Sequence, residues 1–567
     1  MSRKGVSLPA NVLAAMLAVT ATAAFAAGGG NALSVKMLDG ENWWGAANCF
    51  GFEMPYGNDS ARTIDLRSNG YGNQYASLML SDRGRVIWCS DEATFCISGG
   101  VIRVESDLSP VSIHEAGGTL RDAFLFASRR WFPPSGKAPD PLFFTAPQYN
   151  TWIELTYHQN QRDILAYAHS MVENGLSPGV LMIDDTWQAG YGDWRFEPSR
   201  FQDPKAMCEE LHSLGFKVVL WMCPYVSMDS PAFRRIAWGV NPDSVKRYPV
   251  RGGFLFRKGD TVSADGKAPD AAPVKWWNGI SAHLDFTHPN ANAWFREQLD
   301  GLVAKFGVDG FKLDGGMIPN YGSKYGSWRS DATCGDHVLE YAKFALEYPV
   351  CEFRNAWKFQ GKPVVMRLLD KAHSWEALRS LIPDMAAGGL LGHPFICPDM
   401  IGGGSWTSFL PGAAFDPELF IRSAQVHALS PMMQFSASPW RLLDAEGQRI
   451  VREAVKTRQR FATRFLKLAE ECGRTGEPML RNMEYAFPGA GYASIRDQFM
   501  MGDFLLVAPQ VEKGAKNRKV RIPDGKWRAD DGSVFEGPAE VEVATPLSRL
   551  PHFERLALEV ARQTKCN

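Results

Sequence analysis

The sequence predicts an α/β protein: a central (β/α)₈ TIM barrel flanked by an N-terminal and a C-terminal β-sandwich domain. The middle of the chain alternates buried-strand patterns with amphipathic-helix patterns, which is typical of βα units around a parallel sheet. Both ends instead show short β-like runs between Gly, Pro, Asn and Asp, which favour antiparallel sheets. The 567 residues exceed what one hydrophobic core usually supports. We therefore expect a leader at 1–27, a sandwich at 28–145, the barrel at 146–474 and a second sandwich at 475–567.

The first 27 residues have the pattern of a secretory signal peptide. Arg3 and Lys4 precede an apolar run from Val12 to Phe25, and small residues follow at Ala26-Ala27. The alternative is a membrane anchor, which needs a longer apolar span. We expect removal of this segment and a periplasmic or secreted protein that has no membrane association afterwards.

Composition excludes several partners. The formal net charge is -1, so no electrostatic attraction to nucleic acid or to an anionic membrane is expected.

Ten cysteines in an exported chain permit disulfides, and Cys89 with Cys96 could close a small loop. There is no CxxC spacing of the kind that structural zinc sites use. We expect no cofactor and no metal, and the sequence does not indicate an oligomeric state.

The N-terminal region is expected to form strands at four short runs bounded by turn residues. These runs are YASLML (75–80), GRVIWC (84–89), GGVIRVES (99–106) and AFLFAS (123–128). The C-terminal region repeats this pattern in MEYAFP, DFLLVAP, RKVRIP and VEVATP.

The central region is expected to alternate strands and helices, with apolar residues at helical spacing in each helix. The predicted helices are Gln161–Asn174, Pro204–Leu214, Ala291–Phe306 and Ser374–Ile382. The predicted strands are 179–184, 216–222, 308–313, 363–368 and 389–396.

One predicted strand organises the barrel. In GVDGFKLDGG (307–316) a short buried run ends on Asp314 and breaks at Gly315-Gly316. A (β/α)₈ barrel places its chemistry on residues at the carboxyl ends of its strands. Lys312 interrupts the apolar run, which indicates a polar barrel mouth.

Acidic residues follow several other predicted strands. They are Asp184, Asp185, Asp285, Asp314, Asp370 and Asp399. Carboxylates that converge on one mouth repel each other, so such a cluster lowers stability unless it has a function. Two functions can use it. Glycoside hydrolysis needs a pair of carboxylates across the scissile bond, and a metal-dependent hydrolase could bind its ion through His283, Asp285 and Asp314.

These motifs resemble glycoside hydrolase family 31, whose members cleave α-glucosides, α-xylosides and α-galactosides. GVDGFKLDGG resembles the family's nucleophile strand, which implies that Asp314 is the nucleophile. The segment RLLDKAHSWEALRSLIPDMAAGGLLGHPFICPDMIGGG resembles its acid/base segment and the D-I-G-G motif that follows. The resemblance implies that Asp370 is the acid/base and that Asp399 contacts substrate.

The same resemblance extends to the substrate-binding residues. MIDDTW is similar to the family's first substrate-binding strand, which implies that Asp184 and Asp185 contact sugar hydroxyls. Aromatic walls are expected at Trp187, Trp221 and Trp406.

Three further polar residues are candidates for binding substrate. Lys312 lies on the nucleophile strand, and Arg367 either reaches the sugar or lowers the pKa of a carboxyl group. His393 is either a core histidine or a sugar ligand.

Two departures from the family pattern favour one substrate. The acid/base lies in a compressed Arg367-Leu368-Leu369-Asp370, and Met433-Gln434-Phe435-Ser436 replaces a later Arg-x-His. Both resemble an α-galactosidase branch of the family, as does the Asp184-Asp185 doublet. We predict a retaining, exo-acting α-glycosidase that acts on α-galactosides in an oligosaccharide or glycoside. The alternatives are an α-glucosidase or α-xylosidase of the same family, a metal-dependent barrel hydrolase, and a catalytically silent sugar-binding protein.

Overall fold

The structure is a computed structural model that describes residues 31–67, 71–237, 254–258, 271–316 and 325–556. The predicted signal peptide lies outside these ranges, as does Cys566. Among the described residues, no helix is long and apolar enough to span a membrane. The nine described cysteines, which include Cys89 and Cys96, are all free thiols, so the suggested disulfide between these two is absent.

The N-terminal domain is a sandwich of two four-stranded antiparallel sheets. Its strands are β1 (Ala32–Lys36), β2 (Trp43–Ala47), β3 (Arg62–Asp65), β4 (Tyr75–Ser81), β5 (Arg85–Trp88), β6 (Ala93–Ser98), β7 (Val101–Ser106) and β8 (Ser112–Glu115), with a 3₁₀ helix at Asn48–Glu53. The sheet orders are β1-β7-β6-β3 and β2-β4-β5-β8. Inward side chains such as Trp43, Tyr75 and Phe95 form a core of their own.

The prediction of a strand at AFLFAS (123–128) is wrong, because these residues belong to helix α1 (Leu120–Trp131). Thr119 caps the helix by accepting a hydrogen bond from the Asp122 backbone N–H. The buried residues Leu120, Ala123, Phe124 and Ala127 have helical spacing. The six-residue window was too short to show this period.

The central region contains the barrel and its insertions. Its strands are β9 (Gln148–Asn150), β10 (Val180–Ile183), β11 (Gln188–Gly190), β12 (Asp193–Phe196), β13 (Lys217–Met222), β14 (Tyr225–Val226), β15 (Arg257–Lys258), β16 (Val274–Trp276), β17 (Gly279–His283), β18 (Gly310–Leu313), β19 (Tyr325–Gly326), β20 (Val350–Phe353), β21 (Val365–Arg367), β22 (Ile396–Cys397) and β23 (Gln434–Phe435). Its helices are α2 (Leu142–Thr145), α3 (Trp152–Leu155), α4 (Gln161–Glu173), α5 (Pro204–Ser213), α6 (Pro231–Ile236), α7 (Pro289–Phe306), α8 (Cys334–Ala342), α9 (Trp375–Leu390), α10 (Pro417–Ala428), α11 (Pro439–Leu442) and α12 (Ala445–Thr475), with 3₁₀ helices at Lys343–Leu346 and Trp406–Phe409.

Eight parallel strands form the barrel in the order β22-β21-β20-β18-β13-β10-β9-β23. The last gap is bridged where the backbone N–H of Ile401, just after β22, donates to the carbonyl of Gln434 on β23 at 2.8 Å. The predicted fold class is thereby confirmed. The carboxyl ends of all eight strands share one mouth, so the residues that follow them are brought together.

Two placements within the barrel differ from expectation. The predicted strand 389–396 is instead the end of α9, a turn and the two-residue strand β22, because α9 continues through Pro383 to Leu390. Asp285 follows β17, which belongs to a small antiparallel sheet in the order β14-β17-β16 and not to the barrel. The alternation of strand and loop in the sequence does not distinguish a barrel strand from an insertion strand.

The C-terminal domain is one continuous antiparallel sheet in the order β24-β25-β26-β29-β27-β28, where two separate sheets were expected. Its elements are β24 (Leu480–Arg481), α13 (Met483–Ala486), β25 (Phe499–Met501), β26 (Leu505–Val507), β27 (Asn517–Ala529), β28 (Val534–Ala544) and β29 (His552–Arg555). The register of β27 against β28 shifts between Ile522 and Gly525, and such an irregularity bends a long strand pair. The bend encloses a core around Trp527 and Phe553.

We expect Glu92 in the N-terminal domain to make stability fall as pH rises. Burial raises the pKa of Glu92 to about 8, and the hydrogen bond from the Tyr75 hydroxyl at 3.2 Å only partly opposes this. At low pH the carboxyl is protonated in the folded and the unfolded chain and has no effect. As pH rises towards about 8, only the unfolded chain releases its proton readily, so the folded state loses relative stability.

Glu92→Gln should therefore stabilise the protein increasingly with pH, by up to about 4 kcal/mol between pH 5 and pH 9. Thermal melting followed by circular dichroism at pH 5, 7 and 9 measures the difference. Glu115→Gln, at an exposed position of the same domain, is the control. A difference that does not change with pH would contradict the assignment to Glu92.

Candidate active site

Asp314 lies directly after β18 at the barrel mouth and is held by three donors. The Trp221 indole N–H donates to Oδ2 at 3.1 Å, and Arg354 Nε and the Gly315 backbone N–H donate to Oδ1 at 2.8 and 2.9 Å. Gly315 has a φ of 76°, which favours glycine and lets the chain turn back under the carboxylate. The carboxylate is thus fixed on a rigid strand end with little freedom to rotate.

The charge of Asp314 is stabilised by its neighbours. Burial alone would raise the pKa of this carboxyl group, but the positive charges of Arg354, Arg367 and Lys312 outweigh burial and hold the pKa well below its usual range. Asp314 is therefore ionised at neutral pH. An ionised, immobile carboxylate is what nucleophilic attack on a sugar requires.

Arg367 links Asp314 to two more carboxylates. Its guanidinium lies 2.5 Å from Asp370 Oδ1, 3.0 Å from Asp399 Oδ1 and 3.9 Å from Asp314 Oδ1. The side chain of Asp370 is 40% exposed, whereas Asp399 is fully buried. One buried cation thus gathers the three acids, and Asp370 alone among them is open to solvent.

Asp399 binds the backbone of two loops around the barrel mouth. Besides Arg367, its carboxylate accepts hydrogen bonds from the backbone N–H groups of Lys371 at 2.9 Å and Gly404 at 3.0 Å. Burial and the neighbouring Asp370 raise its pKa. With three donors already bound and no exposed surface, Asp399 connects two loops, and this geometry does not show a contact to substrate.

Asp184 and Lys312 form a buried pair on the neighbouring side of the mouth. Lys312 Nζ donates to Asp184 Oδ2 at 2.7 Å, and the Asp185 backbone N–H donates to Oδ1 at 2.8 Å. Each oxygen of Asp184 keeps a lone pair for a sugar hydroxyl. The position after β10, two strands from Asp314, suits a group that binds the sugar ring.

Asp185 has a different environment from its neighbour. Oδ1 accepts from the Thr186 N–H and from Gln188 Nε2 at 2.7 and 3.3 Å, and Oδ2 accepts from the Tyr191 hydroxyl and from Asn278 Nδ2 at 3.0 and 2.9 Å. Four donors occupy the acceptor sites of one carboxylate. The geometry makes Asp185 a residue that orients Tyr191 and Asn278, and it leaves no lone pair for sugar.

The predicted aromatic residues occupy different positions. Trp221 contacts the Asp314 carboxylate directly. Trp187 is fully buried, donates its indole N–H to the Trp221 carbonyl at 2.8 Å, and packs on Phe196, so it has no ring face open to a ligand. Trp406 is half-buried on a loop, with its ring 6.1 Å from that of Tyr157.

His393 lies at the opposite end of the barrel from Asp314. It precedes β22 by three residues, whereas Asp314 follows the carboxyl end of the parallel strand β18. Burial lowers the pKa of His393 to about 3, so the ring is neutral. Of the two interpretations left open by the sequence, this placement favours the core histidine.

Three residues that the sequence analysis did not select belong to the site. Arg354 donates to the Asp314 carboxylate. Glu352 is buried 3.2 Å from Arg367 Nε and accepts from Gln434 Nε2 at 3.1 Å. Trp277 is 45% exposed, with its ring beside Gly315 and the Arg354 guanidinium 5.5 Å from the ring centroid. The sequence did contain a signal for two of them: Glu352 and Arg354 are charged residues in VCEFRN, where a buried strand ends.

The metal-binding alternative gains no support from this geometry. Among the residues that the structure describes, no group of three or more His, Cys, Asp or Glu side chains could hold an ion. The ring of His283 stacks on Phe256, and its Nδ1 lies 2.7 Å from the Leu284 carbonyl. Asp285 accepts hydrogen bonds from Thr287 and Trp328.

Family models match most of the chain. Residues 146–463 match the TIM-barrel domain of glycosyl hydrolases family 31, and residues 476–556 match the C-terminal domain of the same family. The resemblance seen in the sequence is thereby confirmed.

Individual relatives show the same relationship. The chain is 33% identical over 430 residues to myogenesis-regulating glycosidase of Mus musculus, covering 74% of this chain and 57% of the relative. It is 30% identical over 273 residues to SITS-binding protein of Tetronarce californica, covering 47% and 38%. The chain thus spans little more than half, or less, of the length of these relatives. The fold is similar to that of a GH31 α-xylosidase from a soil metagenome, solved with xylose, with a TM-score of 0.77, 19% identity and coverage of 94% of this chain and 80% of that one.

Proposed function

Since the chain belongs to glycoside hydrolase family 31, we propose that it is a retaining, exo-acting α-glycoside hydrolase with Asp314 as nucleophile and Asp370 as acid/base. The observation that carries this proposal is the unequal environment of two carboxylates joined by Arg367. Asp314 is buried and held ionised, whereas Asp370 is exposed and able to exchange protons with a substrate or water. A retaining glycosidase needs one carboxylate that stays ionised and attacks, and a second carboxyl group that gives and takes a proton.

The first chemical step uses both groups at once. An Asp314 oxygen bonds to the anomeric carbon as the bond from that carbon to the leaving oxygen breaks, and protonated Asp370 transfers its proton to that oxygen. The products are a glycosyl ester of Asp314 and a free alcohol. Trp221 and Arg354 hold the attacking carboxylate in place during this step.

The second step releases the sugar. Asp370, now a carboxylate, takes a proton from water while the water oxygen bonds to the anomeric carbon and the ester bond to Asp314 breaks. Two displacements at one carbon restore the original configuration. Asp370 ends the cycle protonated, and Asp314 ends it ionised.

We infer that the substrate is an α-galactoside. Support comes from the Arg367-x-x-Asp370 spacing and from the Asp184-Asp185 doublet, whose sequence resembles galactose-specific members although only Asp184 keeps lone pairs for sugar. The structure adds that Asp184 and Lys312 lie together with free hydrogen-bonding capacity, a donor and an acceptor that can bind adjacent hydroxyl groups. The α-glucosides and α-xylosides cleaved by other members are the competing substrates.

The proposal is tested with the p-nitrophenyl α-glycosides of galactose, glucose and xylose. We expect one of them, the galactoside, to be cleaved with retention of configuration in proton NMR spectra, at a rate unchanged by EDTA. The described residues contain no ion-binding cluster, so a chelator has nothing to remove from them. Preferred cleavage of the glucoside or xyloside would reject galactose, and EDTA-sensitive turnover or no turnover of all three would reject the proposed activity.

A further inference from the structure

Asp370 lies beyond the end of a barrel strand, and Arg367 at that strand end contacts only its carboxylate. β21 ends at Arg367, so Asp370 lies on the loop beyond it, with a side chain that is 40% exposed. A general acid must nevertheless be held within hydrogen-bond reach of the leaving oxygen. Besides this side-chain contact from β21, the loop that carries Asp370 needs anchors of its own.

Lys371, the next residue, is anchored through both backbone and side chain. Its backbone N–H donates to Asp399 Oδ2 at 2.9 Å, and its carbonyl accepts from the Ser405 N–H at 3.0 Å. Its Nζ donates to Asp384 Oδ2 at 2.5 Å and to Ser380 Oγ at 3.1 Å. The two side-chain contacts tie the loop to helix α9.

Asp384 is a rigid base for this contact. It is 2% exposed in the middle of α9. The helix packs closely on the N-terminal domain, because a Cβ added to Gly51 would lie 2.3 Å from the carbonyl oxygen of Pro383. A buried carboxylate is costly unless it is paired, and Lys371 provides the pairing charge. Burial raises the pKa of Asp384 to about 6, against the opposing effect of Lys371.

We propose that the Lys371–Asp384 ion pair is a positioning device for the acid/base Asp370, which holds the loop so that this carboxyl group reaches the leaving oxygen. The inference rests on the proposed function. Asp384 itself touches neither substrate nor the reacting atoms and acts through the loop. α9, which packs on the N-terminal domain, thereby helps to place a group at the barrel mouth.

This role has a kinetic consequence that a purely structural role lacks. A poor leaving group needs its oxygen protonated as the bond breaks, whereas an activated leaving group departs without that proton. A displaced Asp370 therefore slows cleavage of a glycoside with a poor leaving group. It does not slow formation of the glycosyl ester from a glycoside with an activated leaving group. Loss of the fold would reduce the rates on both glycosides equally.

The test compares kcat/KM on a methyl α-glycoside and on a 2,4-dinitrophenyl α-glycoside of the sugar that the wild type cleaves. For Lys371→Met we expect a loss of about 10²-fold on the methyl glycoside and of less than about 5-fold on the activated one. Lys371→Arg should recover most of the loss. Glu376→Gln, at an exposed residue of the same helix, should leave both values unchanged.

A second variant guards against a folding defect in the first. Lys371→Met leaves Asp384 buried and unpaired, whereas Lys371→Met combined with Asp384→Leu replaces the pair by apolar groups, which is often neutral for stability. The double variant should show the same selective loss. An equal loss of kcat/KM on both substrates, or no loss on the methyl glycoside, would overturn this inference. Glycosidase activity of the wild type in the same experiment would still support the proposed function. A wild type without any glycosidase activity would overturn both.

Discussion

Asp314→Asn should reduce turnover of the best aryl α-glycoside by about 10³-fold or more, because the amide cannot attack the anomeric carbon. The amide has the same size, and its oxygen can still accept from Arg354, but its NH2 group then faces the Trp221 N–H, so one hydrogen bond is lost. Circular dichroism and thermal melting check the fold. Asp331→Asn, at an exposed acid on another loop, should retain full activity.

A mechanism-based label tests the same assignment by a different measurement. A 5-fluoro-α-glycosyl fluoride should form a stable ester with the wild type, detected as one added glycosyl mass on the peptide that contains Asp314. Asp314→Asn should not be labelled. A label on another residue, or turnover by the variant close to that of the wild type, would contradict Asp314 as the nucleophile.

The low pKa of Asp314 predicts the pH dependence of the wild type. The charges of Arg354 and Arg367 keep the nucleophile ionised, so its protonation does not limit kcat/KM between pH 4 and 9. A fall in kcat/KM between pH 7 and pH 4, with the fold shown to be unchanged by circular dichroism, would argue against the ionised state.

Asp370→Ala should have the second-largest effect, and the effect should depend on the leaving group. We expect a loss of about 10²- to 10⁴-fold on a methyl α-glycoside. With a 2,4-dinitrophenyl α-glycoside the first step should proceed, and the glycosyl ester on Asp314 should accumulate because no base activates water. Pre-steady-state release of dinitrophenol in a burst measures this accumulation.

Azide provides the decisive control for Asp370. As a small anion that needs no general base, it should release the trapped sugar and raise the steady-state rate, giving the α-glycosyl azide. The variant should fold, because Asp370 is 40% exposed and Arg367 keeps Asp399 and Glu352 as partners. No rescue and no leaving-group dependence would reject Asp370 as the acid/base.

Local patterns were sufficient to find the barrel and the carboxylate that we propose as its nucleophile. A buried parallel strand has a short, apolar pattern, and the carboxylate that ends it at Asp314 is adjacent in sequence. The same is true of Asp184 after β10 and of the helices α4, α5 and α7, whose periods and caps lie within one window. Such features depend on contacts within one element, so sequence alone predicts them.

Local patterns failed where more distant packing decides the outcome. AFLFAS is apolar enough for a strand, and only its packing in the domain core shows the helical face. His393 lies in an apolar segment beyond the end of a helix that continues through Pro383, which sequence rules would have ended earlier. In AFLFAS, the helical spacing of buried residues over a longer segment overrides the short apolar run. At His393, the helix that continues through Pro383 takes the place of the expected strand.

The sequence by itself determined the barrel between two β domains, the family, and the two carboxylates that we propose for catalysis. Only the tertiary structure decided which neighbours act on them. Arg354, Glu352 and Trp277 reach the mouth from elements separate from the nucleophile strand, and Asp185 is saturated by donors as distant as Asn278. The physical reason is that a side chain's charge state and free lone pairs depend on every group packed around it. Those groups come from distant parts of the chain, and their contacts are not encoded in any short stretch of sequence.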